Sequence, residues 1–525
     1  MLESGCGVVA WPAPHGPASA FHGAIRPVQR VAFIDVSRVQ TRSMFAWFST
    51  RPFVRGQHAR TSRSGCTRGR VTRLERSQQS VRYRATISMR NQERSCASAQ
   101  QNEQVLTEAF EVDSLVREEL RDMAPYTPIL PYEVLAQQLG REPNTIIKLD
   151  ANENPYGVCT AVREALASAP FPHIYPDPES RELREALASF TGVPSSRLLV
   201  GHGADELLDL IFRLVIRPNR GDTIVNAPPT FGMYQFDAEL NGARVVEVWR
   251  QASDGFRFPI EQVERYFAQV ASARARGDEQ PYPKIIFVTC PNNPDGSRIL
   301  DADLRRLLRL PTLIVLDEAY IEFAEANEHQ LTDSNDEHAT ASLIEPPSRI
   351  RWVLEYPNLV VLRTFSKWAA LAGLRVGYGA FPESLMPHLW KIKQPYNVNV
   401  AGQIAALVAL QERTTLFHQV ALMKAERRRF YEQLRRPQFA WLHPYPSQSN
   451  FVLCRVQLPY QPTVSGTPNA SARHVRDFLR ERGILIRYYD AKGLSDCIRI
   501  SMGTPTQMDH LYEALEAYAK SLNQT

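Results

Sequence analysis

Leu359-Val-Val-Leu-Arg-Thr-Phe-Ser-Lys-Trp368 is the stretch on which the reading of this chain turns. Its first four residues are aliphatic with no polar alternation, the pattern of a strand buried on both faces of a parallel sheet. Two hydroxyls and a lysine follow at once, at the edge where open α/β sheets place ligands. Arg375, in Ala372-Gly-Leu-Arg-Val-Gly377, comes eight residues after Lys367. Thr364 and Ser366 with a guanidinium suit a phosphate, and a desolvated lysine suits Schiff-base chemistry. The chain holds only eight Lys against 53 Arg, so a lysine in this place carries information. Taken alone, it is also what a surface charge looks like.

Working outward, similar apolar runs recur at 223–226, 245–249, 284–289, 313–316 and 375–380, with amphipathic stretches between them. This alternation predicts an α/β fold with a mostly parallel central sheet flanked by helices. In residues 206–216, Leu207, Leu208, Ile211, Phe212 and Val215 share one helical face. From about 403 the texture changes: a long helical stretch to about 434 precedes strands at 450–456, 484–487 and 498–501, with helices near 472–482 and 506–521. These make a smaller α+β domain. The segments 271–283 and 324–347 are polar and charged and read as loops.

Composition sets outer limits. In 525 residues, 44% are hydrophobic and 22% charged, which excludes a disordered chain. The net charge of +5 divides unevenly: sixteen Arg, no Lys and four acids leave +12 on residues 1–100, and 45 Lys/Arg against 52 acids leave −7 on the rest. An acidic body argues against a general nucleic-acid binder. No run of about 18 apolar residues occurs, so no membrane-spanning helix is expected. Seven scattered Cys without a C-x-x-C pair support neither a disulfide framework nor a zinc site, and point to a reducing compartment. Residues 1–100, rich in Arg, Ser and Thr and nearly free of acids, read as an organelle transit peptide removed at about 85–105, with plastid favoured over mitochondrion. A basic, disordered tail is the plainer alternative.

Two more strand ends carry chemistry. Leu313-Ile-Val-Leu-Asp317-Glu-Ala-Tyr320 puts a carboxylate at the end of an apolar strand with a phenol three residues on. A buried Asp needs a cationic partner, and a pyridinium nitrogen is one such partner; capping a loop is the other reading. Thr289-Cys-Pro-Asn-Asn293-Pro294 is a rigid turn carrying an amide. Val200-Gly-His-Gly203-Ala204-Asp205-Glu206 opens the amphipathic helix with free backbone N–H groups, an anion site. It reads G-x-G-x-x-E, so the dinucleotide fingerprint fails, and no P-loop, H-E-x-x-H or G-x-S-x-G motif is present. Cys290 reads as a small buried hydrophobe, His202 as a neighbour of the turn rather than a catalyst, and Gly377 and Gly379 as close-packing positions.

Together these pieces describe a site for pyridoxal 5′-phosphate (PLP). From about Tyr126 to Tyr518 the chain resembles the fold-type I PLP-dependent aminotransferases of the aspartate aminotransferase superfamily. The resemblance rests on Leu149-Asp-Ala-Asn-Glu-Asn-Pro-Tyr-Gly157, Tyr175-Pro-Asp-Pro178, Gly203-Ala-Asp-Glu206, Pro228-Pro-Thr-Phe-Gly-Met-Tyr234 and Pro291-Asn-Asn-Pro294. It continues in Asp317-Glu-Ala-Tyr-Ile-Glu-Phe323, Arg363-Thr-Phe-Ser-Lys367, Leu371-Ala-Gly-Leu-Arg375 and Cys497-Ile-Arg-Ile500. The Pro-Pro-Thr-Phe-Gly-Met-Tyr and Asp-Glu-Ala-Tyr-Ile-Glu-Phe wording is closer to the histidinol-phosphate branch.

The resemblance implies roles. Lys367 would hold the cofactor covalently and then move the proton between substrate Cα and cofactor C4′. Asp317 would pair with the pyridine N1, Asn293 and Tyr320 would bond the 3′-oxygen, and Phe231 would stack on the ring. Ala204, Asp205, Thr364, Ser366 and Arg375 would hold the phosphate, joined by Tyr175 from a partner subunit of a homodimer. Tyr132, Asn154, Arg487 and Arg499 would form the substrate end. It further implies an N-terminal helical arm at 101–148, a large PLP-binding domain at 149–400 and a small domain at 401–525. The expected reaction passes an amino group between L-histidinol phosphate and 2-oxoglutarate in histidine biosynthesis, with small-molecule partners only. An aromatic aminotransferase or a phospho-amino-acid decarboxylase of the same fold is the alternative. A regulator on this fold would need a helix-turn-helix ahead of the core, and residues 1–100 lack its periodicity. Two departures stand out, Asp295 where Thr is usual and bulky Trp368 after the lysine; both bear on local packing.

Overall fold

The structure, a computed structural model, describes residues 111–125, 131–170, 172–325, 346–458 and 470–522, within one compact unit of Ala109–Thr525. The expected transit peptide and most of the 324–347 segment lie outside the described residues.

Seven strands form the main sheet: β2 (Leu198–His202), β3 (Thr223–Asn226), β4 (Arg244–Glu247), β5 (Ile285–Thr289), β6 (Leu313–Asp317), β7 (Leu359–Thr364) and β8 (Val376–Ala380). Their order is β2-β8-β7-β6-β5-β3-β4. β7, β6, β5, β3 and β4 run parallel, whereas β8 is antiparallel to both its neighbours. The unalternating strands follow from burial on both faces. Ile286, Val288, Ile314, Leu316 and Val361 enter one core, while Ile285, Phe287, Val315, Val360 and Leu362 enter the other, beneath the helix Gly203–Val215.

A second sheet has the order β1-β11-β12-β10-β9, built from β1 (Ile147–Leu149), β9 (Leu442–Pro444), β10 (Phe451–Val456), β11 (Ile484–Tyr488) and β12 (Cys497–Ser501). β1 pairs parallel with β11, so a strand from ahead of the main sheet closes the edge of a sheet built near the C-terminus. The sequence reading placed no strand at β1, β2 or β9: three residues are too short for a period-2 signal, and β2 ends inside the glycine turn. The long helical stretch is two helices, Val400–Gln411 and Arg413–Leu434, broken at Glu412, where no Gly or Pro marks the sequence. Asn399 caps the first, its side-chain oxygen accepting from Gly402 N–H at 2.7 Å. Ala405, Ala406, Ala409 and Leu410 of that helix join the main-sheet core. The segment 271–283 is helical up to Ala275, because Phe267, Val270 and Ala273 keep an apolar face on the helix Ile260–Ala275.

Candidate active site

The parallel strands end together. Register sets Thr289 of β5 opposite Asp317 of β6, and Asp317 opposite Leu362 of β7. β8 runs the other way, so Arg375, just before its first residue, reaches the same edge. The turn after β2 brings Gly203–Asp205 there as well. Ten residues singled out in sequence line one cavity of about 150 Å³: Ala204, Asp205, Phe231, Asn293, Asp317, Tyr320, Thr364, Ser366, Lys367 and Arg375.

Asp317 is 4% exposed. Its Oδ1 accepts from the Ala319 N–H at 3.0 Å and its Oδ2 from the Tyr234 hydroxyl at 2.7 Å. The Tyr234 oxygen also lies 2.7 Å from Thr289 Oγ1. Burial raises the Asp317 carboxyl to about 6, against the opposing pull of the Tyr234 hydrogen bond. Such a carboxylate favours a cation beside it.

The opposite end of the cavity is built for an anion. Ala204 and Asp205 occupy the first turn of the helix Gly203–Val215, where N–H groups have no intrahelical acceptor. Glu206, which breaks the dinucleotide pattern, accepts the His202 N–H through its carboxylate at 2.6 Å and so closes the turn; His202 itself faces solvent. Arg375 reaches Asp205 Oδ2 at 2.6 Å, and Thr364 Oγ1 lies 2.9 Å from Ser366 Oγ. Arg375 adopts φ 55°, a left-handed conformation costly for a side chain of its kind. Gly203 sits at φ +73°, and a Cβ there would fall 2.5 Å from the Arg375 guanidinium.

Between these ends, Lys367 Nζ donates to the Ala151 carbonyl at 3.4 Å and stands 5.7 Å from the centre of the Tyr320 ring. Arg499 on β12 donates to Asn293 Oδ1 and to the Asp150 carbonyl, both at 2.6 Å, leaving Nε buried without a partner. Sequence reasoning missed Tyr234, Thr289, Ala151 and Asn152 as site residues. Their signal was present, since Tyr234 ends one of the quoted motifs and Ala151 and Asn152 open another, but their contacts cross the fold.

Five residues singled out in sequence do not line this cavity; the first is Arg499, which touches it only through Asn293. Tyr175 is 78% exposed and stacks on Tyr396 at 4.6 Å. Tyr132 lies beside Lys148, which in turn bridges to Asp150. Asn154 is buried and spends its amide on the Trp368 carbonyl and Gln419. Arg487 pairs with Arg499 across β11 and β12 and lies against Tyr489. Both departures have packing partners. Trp368 is fully buried against Phe417, Phe190 and Phe365. Asp295 caps its turn by accepting the Ser297 N–H at 2.7 Å; burial pushes its carboxyl up, and the Arg250 charge opposes this only in part.

The profile of the family "Aminotransferase class I and II" matches residues 144–515. Histidinol-phosphate aminotransferase 1, chloroplastic, from Arabidopsis thaliana is 46% identical over 406 residues, 77% of this chain and 86% of that protein. The chain belongs to the histidinol-phosphate aminotransferase family. The chloroplastic enzyme of that name from Nicotiana tabacum is 44% identical over 420 residues, 80% of this chain and 89% of its own. A crystal structure of histidinol-phosphate aminotransferase from Sinorhizobium meliloti in complex with pyridoxal-5′-phosphate aligns with a TM-score of 0.62 at 27% identity, covering 78% of this chain and 98% of that one.

The residues of this aminotransferase fit PLP. An anion cup, the Phe231 ring and a buried carboxylate lie in one cavity with a lysine. Gly377 makes the cup possible, because a Cβ there would fall 2.4 Å from Ala204 N. Among the described residues no cluster of metal-binding side chains occurs, and no helix is long and apolar enough to cross a membrane.

Proposed function

We propose that this aminotransferase passes an amino group from L-glutamate to imidazole-acetol phosphate, giving 2-oxoglutarate and L-histidinol phosphate for histidine biosynthesis. The observation that carries it is Lys367 in one cavity with Asp317, Tyr320 and an anion cup, in a chain 46% identical to a histidinol-phosphate aminotransferase. Bound there, PLP supplies a ring that takes up the electron pair left when the substrate Cα–H bond breaks. Lys367 would anchor the cofactor and then serve as the base that takes and returns the substrate Cα proton. Asp317 would face the pyridine nitrogen. Asn293 and Tyr320 would hydrogen-bond the ring oxygen, Phe231 would cover the ring face, and Ala204, Asp205, Thr364, Ser366 and Arg375 would hold the phosphate.

Arg499 binds the anionic group of the substrate as a fork, with Tyr132, Asn154 and Arg487 shaping the rest of that end. Residues 149–400 hold the cofactor, 401–525 close over the substrate and 101–148 form an arm. The active unit is a homodimer, and the exposed Tyr175 completes the partner's phosphate site. The composition of residues 1–100, together with the chloroplastic relatives, supports import into a plastid, with this segment removed there.

Two measurements test the reading. Lys367→Ala abolishes the visible absorbance of attached cofactor and lowers transamination by at least about a thousandfold; retention of both refutes the assignment. Half-reactions with histidinol phosphate, phenylalanine, tyrosine and aspartate then rank substrates. A preference for an aromatic amino acid, or carbon dioxide release without a keto-acid acceptor, would replace this substrate by the aromatic or decarboxylase alternative.

A further inference from the structure

Asp150, Ala151 and Asn152 form one short turn, and each touches a different working residue. The Asp150 carbonyl accepts from Arg499, the Ala151 carbonyl from Lys367, and the Asn152 side chain donates to the Tyr320 oxygen at 3.1 Å. Asn152 is 2% exposed and holds φ 56°, a left-handed conformation that Asn tolerates better than most residues.

All four polar groups of Asn152 are engaged. Its N–H donates to Ser501 Oγ at 3.0 Å, and its carbonyl accepts from the Asn450 amide at 3.0 Å. Ser501 Oγ lies 2.9 Å from Asn152 Oδ1. In the structure Ser501 Oγ accepts the Asn152 N–H and its hydroxyl donates to Oδ1. With Oδ1 so engaged, the amide NH2 faces Tyr320 and donates to its oxygen. A phenol oxygen that accepts there directs its own proton elsewhere. The Tyr320 ring is held edge-on to Phe451 at 5.1 Å, and the residue lines the cofactor cavity.

We propose that Asn152 is a positioning residue: by donating to Tyr320 it turns the phenol's proton into the cavity, toward the ring oxygen of the cofactor. Ser501 on β12 and Asn450 just before β10 hold it, so the second sheet sets the proton direction of a residue that follows β6 of the first. This rests on the transaminase reading of the site. The readout is taken without amino substrate, so an error in substrate identity leaves it intact.

The test uses the PLP-loaded enzyme and the pH midpoint of its visible absorbance. Asn152→Asp replaces the donor by an acceptor and draws the phenol proton away from the cavity. The ring oxygen then keeps more negative charge and strengthens the hold on the proton beside the Lys367 nitrogen. The midpoint therefore rises by about one pH unit. In a Tyr320→Phe background, Asn152→Asp produces no further shift. An unshifted midpoint in the single variant, or the same shift in the Tyr320→Phe background, overturns the proposal. Ser501→Ala, which frees the amide to rotate, is judged by the same two criteria and decides the matter if the aspartate variant does not fold.

Discussion

At the scale of single residues, Asp317 shows how burial and function oppose each other. Its carboxyl is raised to about 6 by burial, above the usual carboxylate value. The folded protein therefore binds that proton more tightly than the unfolded chain between about pH 4 and 6. Without a cation beside it, the ionised form costs the fold up to about 3 kcal/mol above pH 6, and nothing below the unfolded value. A pyridinium nitrogen next to Asp317 removes that cost. PLP is thus expected to raise the melting temperature more at pH 8 than at pH 5, even in Lys367→Ala, where covalent attachment contributes nothing. Thermal melts with and without PLP at the two pH values check this, and equal gains would count against the pairing. Lys367, Asp317 and Arg375 were readable in the sequence because each abuts a strand of continuous apolar residues. Tyr234 and Asn152 were not, because their hydroxyl and amide find partners 83 and 168 positions away.

At the scale of elements, the proposed phosphate cup depends on how closely β8 approaches the helix Gly203–Val215. Adding a Cβ at Gly377 would meet Ala204 N at 2.4 Å and Gly203 C at 2.6 Å, both backbone. At Gly379 the same atom would meet side chains, Phe381 at 2.7 Å and Leu362 at 2.8 Å. Both substitutions overpack and cost roughly 1–3 kcal/mol of stability. Only Gly377→Ala moves the cup, so its affinity for PLP falls at least about tenfold, while Gly379→Ala leaves affinity within about twofold. Fluorescence titration of each variant with PLP separates them; equal affinities would mean that the cup tolerates displacement. The longer strands were legible because burial on two faces leaves an unbroken aliphatic run. β1, β9 and the break at Glu412 were not, because three-residue pairings and a one-residue interruption of a helix have no periodicity of their own.

At the scale of the whole molecule, Tyr175 tests the assembly. It is exposed and absent from the cavity of its own chain, so its proposed contact with phosphate requires a second copy. Tyr175→Ala and Lys367→Ala subunits are each expected to be nearly inactive alone. Random exchange places one intact site in half of the dimers, so an equal mixture should recover about a quarter of wild-type activity. Activity assayed before and after subunit exchange reads this directly, and no recovery would remove Tyr175 from the partner's site.

What the sequence determined by itself is the chemistry and its order along the chain: apolar strands ending in Asp, Lys and a glycine turn, an acidic body and an Arg-rich first hundred residues. Those signals are local, since a strand buried on both faces must read as continuous hydrophobics, and the residue ending it must lie at the sheet's edge. Only the tertiary structure decided which groups touch the residues that line the site. Tyr234 on Asp317, Asn152 on Tyr320, and Asp150 and Ala151 beneath Arg499 and Lys367 are pairings between distant segments. A hydrogen bond between such segments depends on distance and angle after the two sheets have packed, and neither partner's neighbours in sequence record it.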